Sequence, residues 1–359
     1  MAYLWPFRVV GCETTQSMSS KRRPQAATKG QARKHVNPFR GRPHQSVAYT
    51  TRCGRVYHAD AGHLLASEGF SRYQGKVNLI FTSPPFPLRT KKRYGNATGA
   101  EYVRWLCAFG PMFKRMLAKD GSIVIEMGNS WEPGSPVMST LAMRALLEFQ
   151  ATNQLHLCQE FIYQNPARLP GPAQWVNVER IRVKDSFTKL WWLSPTTKPK
   201  ANNLRVLQEY SVAMQKLLRQ GKYNSGRRPS EHRIGKTSFL KNHGGAIPSN
   251  VLTFSNTHSM DAYQQYCRDH ELRPHPARMP IDLAKFFIRF LTVPGDLVLD
   301  PFAGSNTTGA AAEELKRYWI GIEASAEYVK SSKGRFKRVN SIKRLRAPRL
   351  VPQRALRAA

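Results

Sequence analysis

The sequence predicts an α/β fold with a mostly parallel sheet covered on both faces, and three observations carry that expectation. Short apolar runs of strand length alternate with longer helical stripes over most of the chain, the pattern of repeated strand–helix units. Several of these runs end in an acid or a proline turn, at the strand end where open α/β sheets bind ligands. Late in the chain, Leu297-Val-Leu299 leads directly into Asp300-Pro-Phe-Ala-Gly-Ser-Asn-Thr-Thr-Gly309. A buried strand, an acid, a Gly-containing turn and a helix start follow one another there.

Taken in order, residues 1–45 are rich in Arg, Lys, Gln, Ser and Pro, with Glu13 the only acid, and read as a flexible basic arm. The fold is expected to begin near Gly54-Arg-Val-Tyr-His-Ala-Asp60, a short strand ending in an acid, with a helical His63 to Ser67 after it. Val77 to Phe81 is the next strand and runs into Thr82-Ser-Pro-Pro-Phe86. Tyr102, Trp105, Leu106, Phe109, Phe113, Met116 and Leu117 form one helical stripe, the spacing of a helix with one face on a sheet. Asp120-Gly121 stops it before a strand over Ser122 to Met127, a helix over Val137 to Phe149 and a strand over Glu160 to Tyr163.

From Asn165 the character changes. A breaker-rich loop to Pro172 precedes Trp175, Trp191 and Trp192, which bracket a basic segment holding Arg180, Arg182 and Lys184. Residues 196–260 contain one expected helix, Val206 to Arg219, and then a loop-rich basic run of poor periodicity, as in an insertion that meets a ligand with loops. The alternation resumes with His275 to Pro280, an apolar helix over Ile281 to Leu291, the Asp300 turn, a helix over Asn306 to Arg317 and a strand from Tyr318 ending in Glu323. Beyond Glu327 no acid occurs, and residues 331–359 read as a basic tail. The expected organisation is therefore an arm (1–45), two halves of one domain (46–195 and 261–330) around an insertion (196–260), and the tail.

Lys and Arg number 56 against 23 Asp and Glu, a net charge of +33. Self-repulsion on that scale points to a polyanionic partner, nucleic acid before an anionic membrane. Five well-separated cysteines with no Cys-x-x-Cys indicate neither a disulfide framework nor a metal site, and a reducing cytosol follows. No apolar run of about eighteen residues is present and the first ten residues lack a secretory pattern, so no membrane association is expected.

The two strand-end turns carry the chemistry. Gly304 lets the backbone approach a ligand at a helix N-terminus, and Glu323 lies about twenty residues on, where a ribose-binding carboxylate is expected. In Thr82-Ser83-Pro84-Pro85-Phe86, the prolines stiffen the backbone and leave carbonyls free of ladder bonds. Ser83 adds an acceptor and Phe86 a flat face. These groups can accept both N–H groups of an exocyclic amine while the ring stacks.

Together the two turns resemble those of the amino-group DNA methyltransferases, in the order of the permuted β class: Ser-Pro-Pro-Phe early, Asp-Pro-Phe-Ala-Gly late. The likeness runs from about 54 to 330 and includes Thr82 to Asn96, Trp175 to Trp192, Gly244 to Pro248, His275 to Pro280 and Phe286 to Phe290. The resemblance implies a Rossmann-like, mostly parallel seven-stranded sheet with an inserted DNA target-recognition region. It implies S-adenosyl-L-methionine as cofactor, held by Asp300, Pro301, Phe302, Gly304, Ser305 and Glu323, with Asp60 near the adenine ring. Asp60 reads equally well as a helix N-cap.

Ser83, Pro84, Pro85 and Phe86 would hold the target base for direct displacement at its amine. In the family, Ser at the first motif position goes mostly with cytosine N4 and Asp or Asn with adenine N6, so cytosine in double-stranded DNA is expected and adenine is the alternative. The absence of a Pro-Cys dipeptide argues against cytosine-C5 chemistry. A catalytically inactive DNA-binding protein and an RNA methyltransferase are the remaining rivals. Arg227, Arg228, Arg233, Lys236 and Asn242 have side chains suited to base edges, although most such residues touch phosphate or solvent. A bacterial, cytoplasmic, nucleoid-associated enzyme with a cognate restriction endonuclease completes the expectation.

Overall fold

The computed structural model describes residues 37–39, 45–86, 99–132, 134–255, 261–337 and 339–341. Most of the expected N-terminal arm, the tail from 342 on and residues 87–96 of the Ser-Pro-Pro-Phe block lie outside the described residues.

The chain enters the sheet at β1 (Val47–Thr50) and returns antiparallel as β2 (Gly54–His58). Asp60 ends that strand and caps α1 (Ala61–Ala66), its Oδ1 accepting from His63 N at 3.0 Å, which satisfies one of the orphan N–H groups of the first turn. β3 (Val77–Thr82) follows, then α2 (Gly99–Cys107) and α3 (Phe109–Met116). One helix was expected over 102–117, and Pro111 is the reason there are two. It has no N–H for the Cys107 carbonyl four residues back, and Asn153 Nδ2 donates to that carbonyl instead at 3.3 Å.

β4 (Leu117–Gly128) leads through the small hairpin β5 (Ser130–Trp131) and β6 (Met138–Ser139) to α4 (Leu141–Thr152) and β7 (His156–Gln164). The basic, Trp-bracketed segment then yields β8 (Phe187–Ser194), a strand the sequence reading did not include. Leu190 and Trp192 face one side of the sheet and Trp191 and Leu193 the other. Both tryptophans are only 7% exposed, so β8 is a central strand hidden by its charged flanks.

The insertion holds α5 (Val212–Gln220), shorter than expected and started by a Ser211 cap. The two-residue strands β9 (Gly226–Arg227) and β10 (Arg233–Ile234) come next, then β11 (Val251–Thr253). The remaining elements are α6 (Ala262–Asp269), α7 (Ile281–Leu291), β12 (Leu297–Asp300), α8 (Thr307–Glu314), β13 (Tyr318–Glu323), α9 (Ala326–Ser332) and β14 (Asn340–Ser341).

The main sheet has ten strands in the order β11-β7-β8-β4-β3-β12-β13-β2-β1-β14. From β4 to β2 every neighbour is parallel; the pairings leave only β8 and β1 reversed. The seven strands from β7 to β2 match the expected number. The sheet is wider because β11 pairs on one edge and β1 with β14 on the other, covering backbone that would otherwise be an open edge. One face packs α1, α2, α3 and α4 through Leu64, Tyr102, Phe113 and Leu146; the other packs α7 through Leu283, Phe287 and Leu291.

Two expected boundaries move. Residues 331–337 and 339–341 remain in the fold: Phe336 stacks on Trp319 at 5.0 Å, and Asn340 pairs with Thr50. The insertion is also shorter than 196–260. Lys200 meets Asp296 at 2.5 Å, Asn202 N donates to the Phe290 carbonyl, and β11 joins β7. A bridge between Gln208 and Ala246 closes the largely exposed segment between them.

Candidate active site

The two turns meet at one sheet edge. β3 and β12 are adjacent and parallel, with Ile80 opposite Leu299, so their C-terminal ends emerge side by side. Thr82 Oγ1, at the end of β3, donates to Asp300 Oδ1 at 2.7 Å. That single bond links the residue before Ser83 to the residue that opens the glycine turn.

Asp300 bonds to both turns. Oδ1 also accepts from Phe302 N at 3.1 Å, and Oδ2 accepts from Thr308 Oγ1 at 2.7 Å. The carboxylate is buried and turned into the protein, and burial pushes its pKa up to about 6. Asp300 is therefore a clamp on both turns.

The loop it clamps is shaped for close approach. Gly304 has φ +50°, and a Cβ there would lie 3.1 Å from the His275 imidazole, so the space is free only because the residue is glycine. Gly304 N donates to Glu323 Oε2 at 2.8 Å and Ser325 N donates to Glu323 Oε1 at 2.8 Å. Burial pushes the Glu323 carboxyl upward. Ala324 N also bonds this carboxylate, and an acceptor position is left for a ligand hydroxyl.

Pro301 is buried, and Phe302 is half-buried against Trp105 (5.5 Å) and Phe109 (5.1 Å). Ser305 is held from outside by Arg335, which donates to its carbonyl and its hydroxyl, both at 3.2 Å. Asn306, also left-handed at φ +58°, caps α8 by accepting from Gly309 N and donates to the Tyr49 hydroxyl. Asp60 lies at the same edge as a helix cap, the structural alternative already recognised for it.

Gly304→Ala is expected to weaken cofactor binding by about tenfold or more, since it combines left-handed strain of roughly 1 kcal/mol with a crowded imidazole. Isothermal titration with S-adenosylmethionine reads it; an unchanged Kd would remove this turn from the binding site.

The second turn faces an acid the sequence reading missed. Glu126, buried near the end of β4, accepts from Thr188 Oγ1 at 3.1 Å and from the Ser83 hydroxyl. Burial raises its pKa, opposed by those two bonds and by Arg168. Arg168 is itself braced by the Phe187 carbonyl at 3.2 Å and Asp185 at 3.8 Å. Glu126 follows an apolar run, Ile123-Val-Ile125, the same strand-then-acid signal that marked Asp60, Asp300 and Glu323. Pro84 is buried, and Pro85 and Phe86 are half-buried. The Phe86 ring lies where a Gly128 side chain would be, 2.7 Å from an ideal Cβ, so Gly128 makes room for it.

The expected DNA-contacting residues gather elsewhere, on the largely exposed segment between Gln208 and Ala246. Arg227 and Arg233 face each other across the β9–β10 pair; like charges so placed repel, and exposed Glu231 lies 3.3 Å from Arg227. Arg228 donates to the Asn224 carbonyl at 2.7 Å, and Lys236 is exposed. Asn242 Oδ1 accepts from Gly244 N at 2.8 Å in a local turn.

Comparison with known proteins gives a consistent result. A family model for DNA methylases of the N6/N4 type matches residues 77–334. The chain is 43% identical over 291 residues to the type II methyltransferase M.PvuII of Proteus hauseri, covering 80% of this chain and 85% of that one. It is 26% identical to M.BglII of Bacillus subtilis over 286 residues, covering 77% and 66%. A shorter match, 44% over 85 residues, is to the DNA adenine methyltransferase YhdJ of Escherichia coli, 23% of this chain and 26% of that one. Among solved structures, the PvuII cytosine-N4-specific DNA methyltransferase aligns with a TM-score of 0.65 at 34% identity, covering 87% of this chain and 92% of that one.

Proposed function

The chain belongs to the N6/N4 DNA methylase family, and from that premise we propose that it transfers a methyl group from S-adenosylmethionine to the N4 amine of cytosine in duplex DNA. The observation that carries this is the Thr82–Asp300 bond at 2.7 Å, which holds an amine-accepting turn and a nucleoside-accepting turn at one edge.

The chain's residues fit the cofactor. The left-handed Gly304 leaves a gap that a Cβ would fill, Glu323 offers acceptors for ribose hydroxyls, and Phe302 with Trp105 gives an aromatic wall. When bound, S-adenosylmethionine supplies an electrophilic sulfonium methyl. An aromatic amine is a poor nucleophile because its lone pair is delocalised into the ring. Ser83 Oγ and the Pro84 carbonyl can accept its two N–H groups and favour a pyramidal nitrogen, and Phe86 can stack on the ring. Glu126, bonded to Ser83, is placed to take the proton that the amine must lose.

Cytosine is favoured over adenine by Ser83 and by the extended match to cytosine-specific PvuII methyltransferase; the adenine-specific relative covers less of the chain. The facing Arg227 and Arg233 suit a phosphate backbone, and the exposed segment that carries them is the proposed recognition region. Similarity to type II enzymes supports a cognate restriction endonuclease and action on nucleoid DNA in the cytoplasm. Among the described residues no helix is long and apolar enough to cross a membrane. Tritiated-methyl transfer to DNA followed by nucleoside mass spectrometry tests the reading: N4-methylcytosine is expected, and N6-methyladenine alone would overturn the choice of base.

A further inference from the structure

Buried polar atoms in folded proteins are almost always hydrogen-bonded, yet Tyr163 Oη is buried with no partner. The residue is only 6% exposed. It stands at the end of β7 directly opposite Thr188 on β8, and Thr188 is the residue that donates to Glu126. Cross-strand neighbours share a face, so Tyr163, Thr188 and Glu126 form one patch beside Ser83. The phenol is within electrostatic reach of both Glu126 and Arg168. Among the described residues Ser130 Oγ is likewise buried without a partner, two residues past the Gly128 that accommodates Phe86. An unsatisfied donor buried beside Glu126 is what a pocket shows when its missing partner is the substrate.

We propose that the Tyr163 hydroxyl donates a hydrogen bond to the ring nitrogen adjacent to the amine-bearing carbon of the extruded base, N3 in cytosine. Such a contact suits bases whose nitrogen there is an acceptor, as in cytosine and adenine. Leaving the hydroxyl unpaired before the base arrives costs the free enzyme stability. The proposal rests on the amine-methyltransferase reading above.

The test compares wild type with Tyr163→Phe on duplex DNA carrying the site mapped in modified host DNA, and on the same duplex with 3-deazacytosine at the target. On cytosine, kcat/KM is expected to fall about tenfold in the variant. The analogue, which lacks the acceptor, is expected to slow wild type by a similar factor and the variant little further, as in a double-mutant cycle. The Tm of Tyr163→Phe is expected at or above wild type. Equal rates on cytosine, equal sensitivity of both enzymes to the analogue, or a Tm that falls together with activity would each overturn the contact. A product of N6-methyladenine would overturn the cytosine reading separately, and 1-deazaadenine would then test the same contact.

Discussion

Glu126→Gln is expected to lower kcat by about 10²- to 10³-fold, with DNA and cofactor affinity near wild type. Glutamine keeps the shape and can still accept from Thr188, so the pocket is preserved and only the proton acceptor is lost. The pH dependence distinguishes this from a packing defect. Burial raises the Glu126 pKa, and a base must be ionised to act, so single-turnover rate in the wild type is expected to climb as pH rises through that raised value. The limb should be missing in the glutamine variant.

Stability should respond in the opposite sense. A carboxyl whose folded pKa is raised contributes most below its unfolded pKa of about 4.3 and loses that contribution as pH rises through the folded value. Glu126→Gln should therefore melt no lower than wild type at neutral pH. A retained pH limb, or a kcat within threefold of wild type, would assign the proton to another acceptor.

The second large effect is expected at Asp300. Asp300→Ala removes the acceptor for Thr82, Phe302 N and Thr308 together, freeing both turns from each other. Misplacement by about 1 Å is enough to cost about a hundredfold in rate, so kcat/KM is expected to fall by at least about 10²-fold, with cofactor affinity falling too. The change in melting temperature should be modest by comparison. Hydrogen bonds to a charged acceptor are worth about 1.5–3 kcal/mol each, but burying the carboxylate costs several kcal/mol, and the two nearly offset.

The raised pKa of about 6 shows burial outweighing those bonds for the charged form. This group's contribution is fully present below about pH 4 and declines as pH rises to about 6, so that part of the stability profile should flatten in Asp300→Asn. Calorimetric titration and melting curves from pH 4 to 8 check both. A variant that loses stability steeply but keeps its cofactor affinity would make Asp300 a core residue and nothing more.

Much of this molecule is written locally. Short, nearly continuous apolar runs mark β3, β12 and β13, because a strand covered on both faces buries almost every side chain, and the 3.6-residue stripe marks α7, because a helix buries one face. Ser83-Pro-Pro-Phe86 and Asp300 to Gly309 are legible for a similar reason: backbone rigidity and the freedom of Gly304 are properties of those residues themselves. Glu126 carries the same readable signal as Asp60, Asp300 and Glu323, an acid after an apolar run. The Pro111 break was also readable, since a missing N–H is a local fact.

Tertiary structure decided the rest. Strand order makes β3 and β12 neighbours although 218 residues separate Thr82 from Asp300, and no periodicity encodes which strands pair. β8 is central only because β4 and β7 flank it. The direction in which Asp300 points, the orphaned hydroxyl of Tyr163 and the grip of Arg335 on Ser305 depend on partners supplied from distant segments. Side-chain type is fixed by covalent structure, whereas the partner that satisfies or strands a polar group is fixed only when the sheet has assembled.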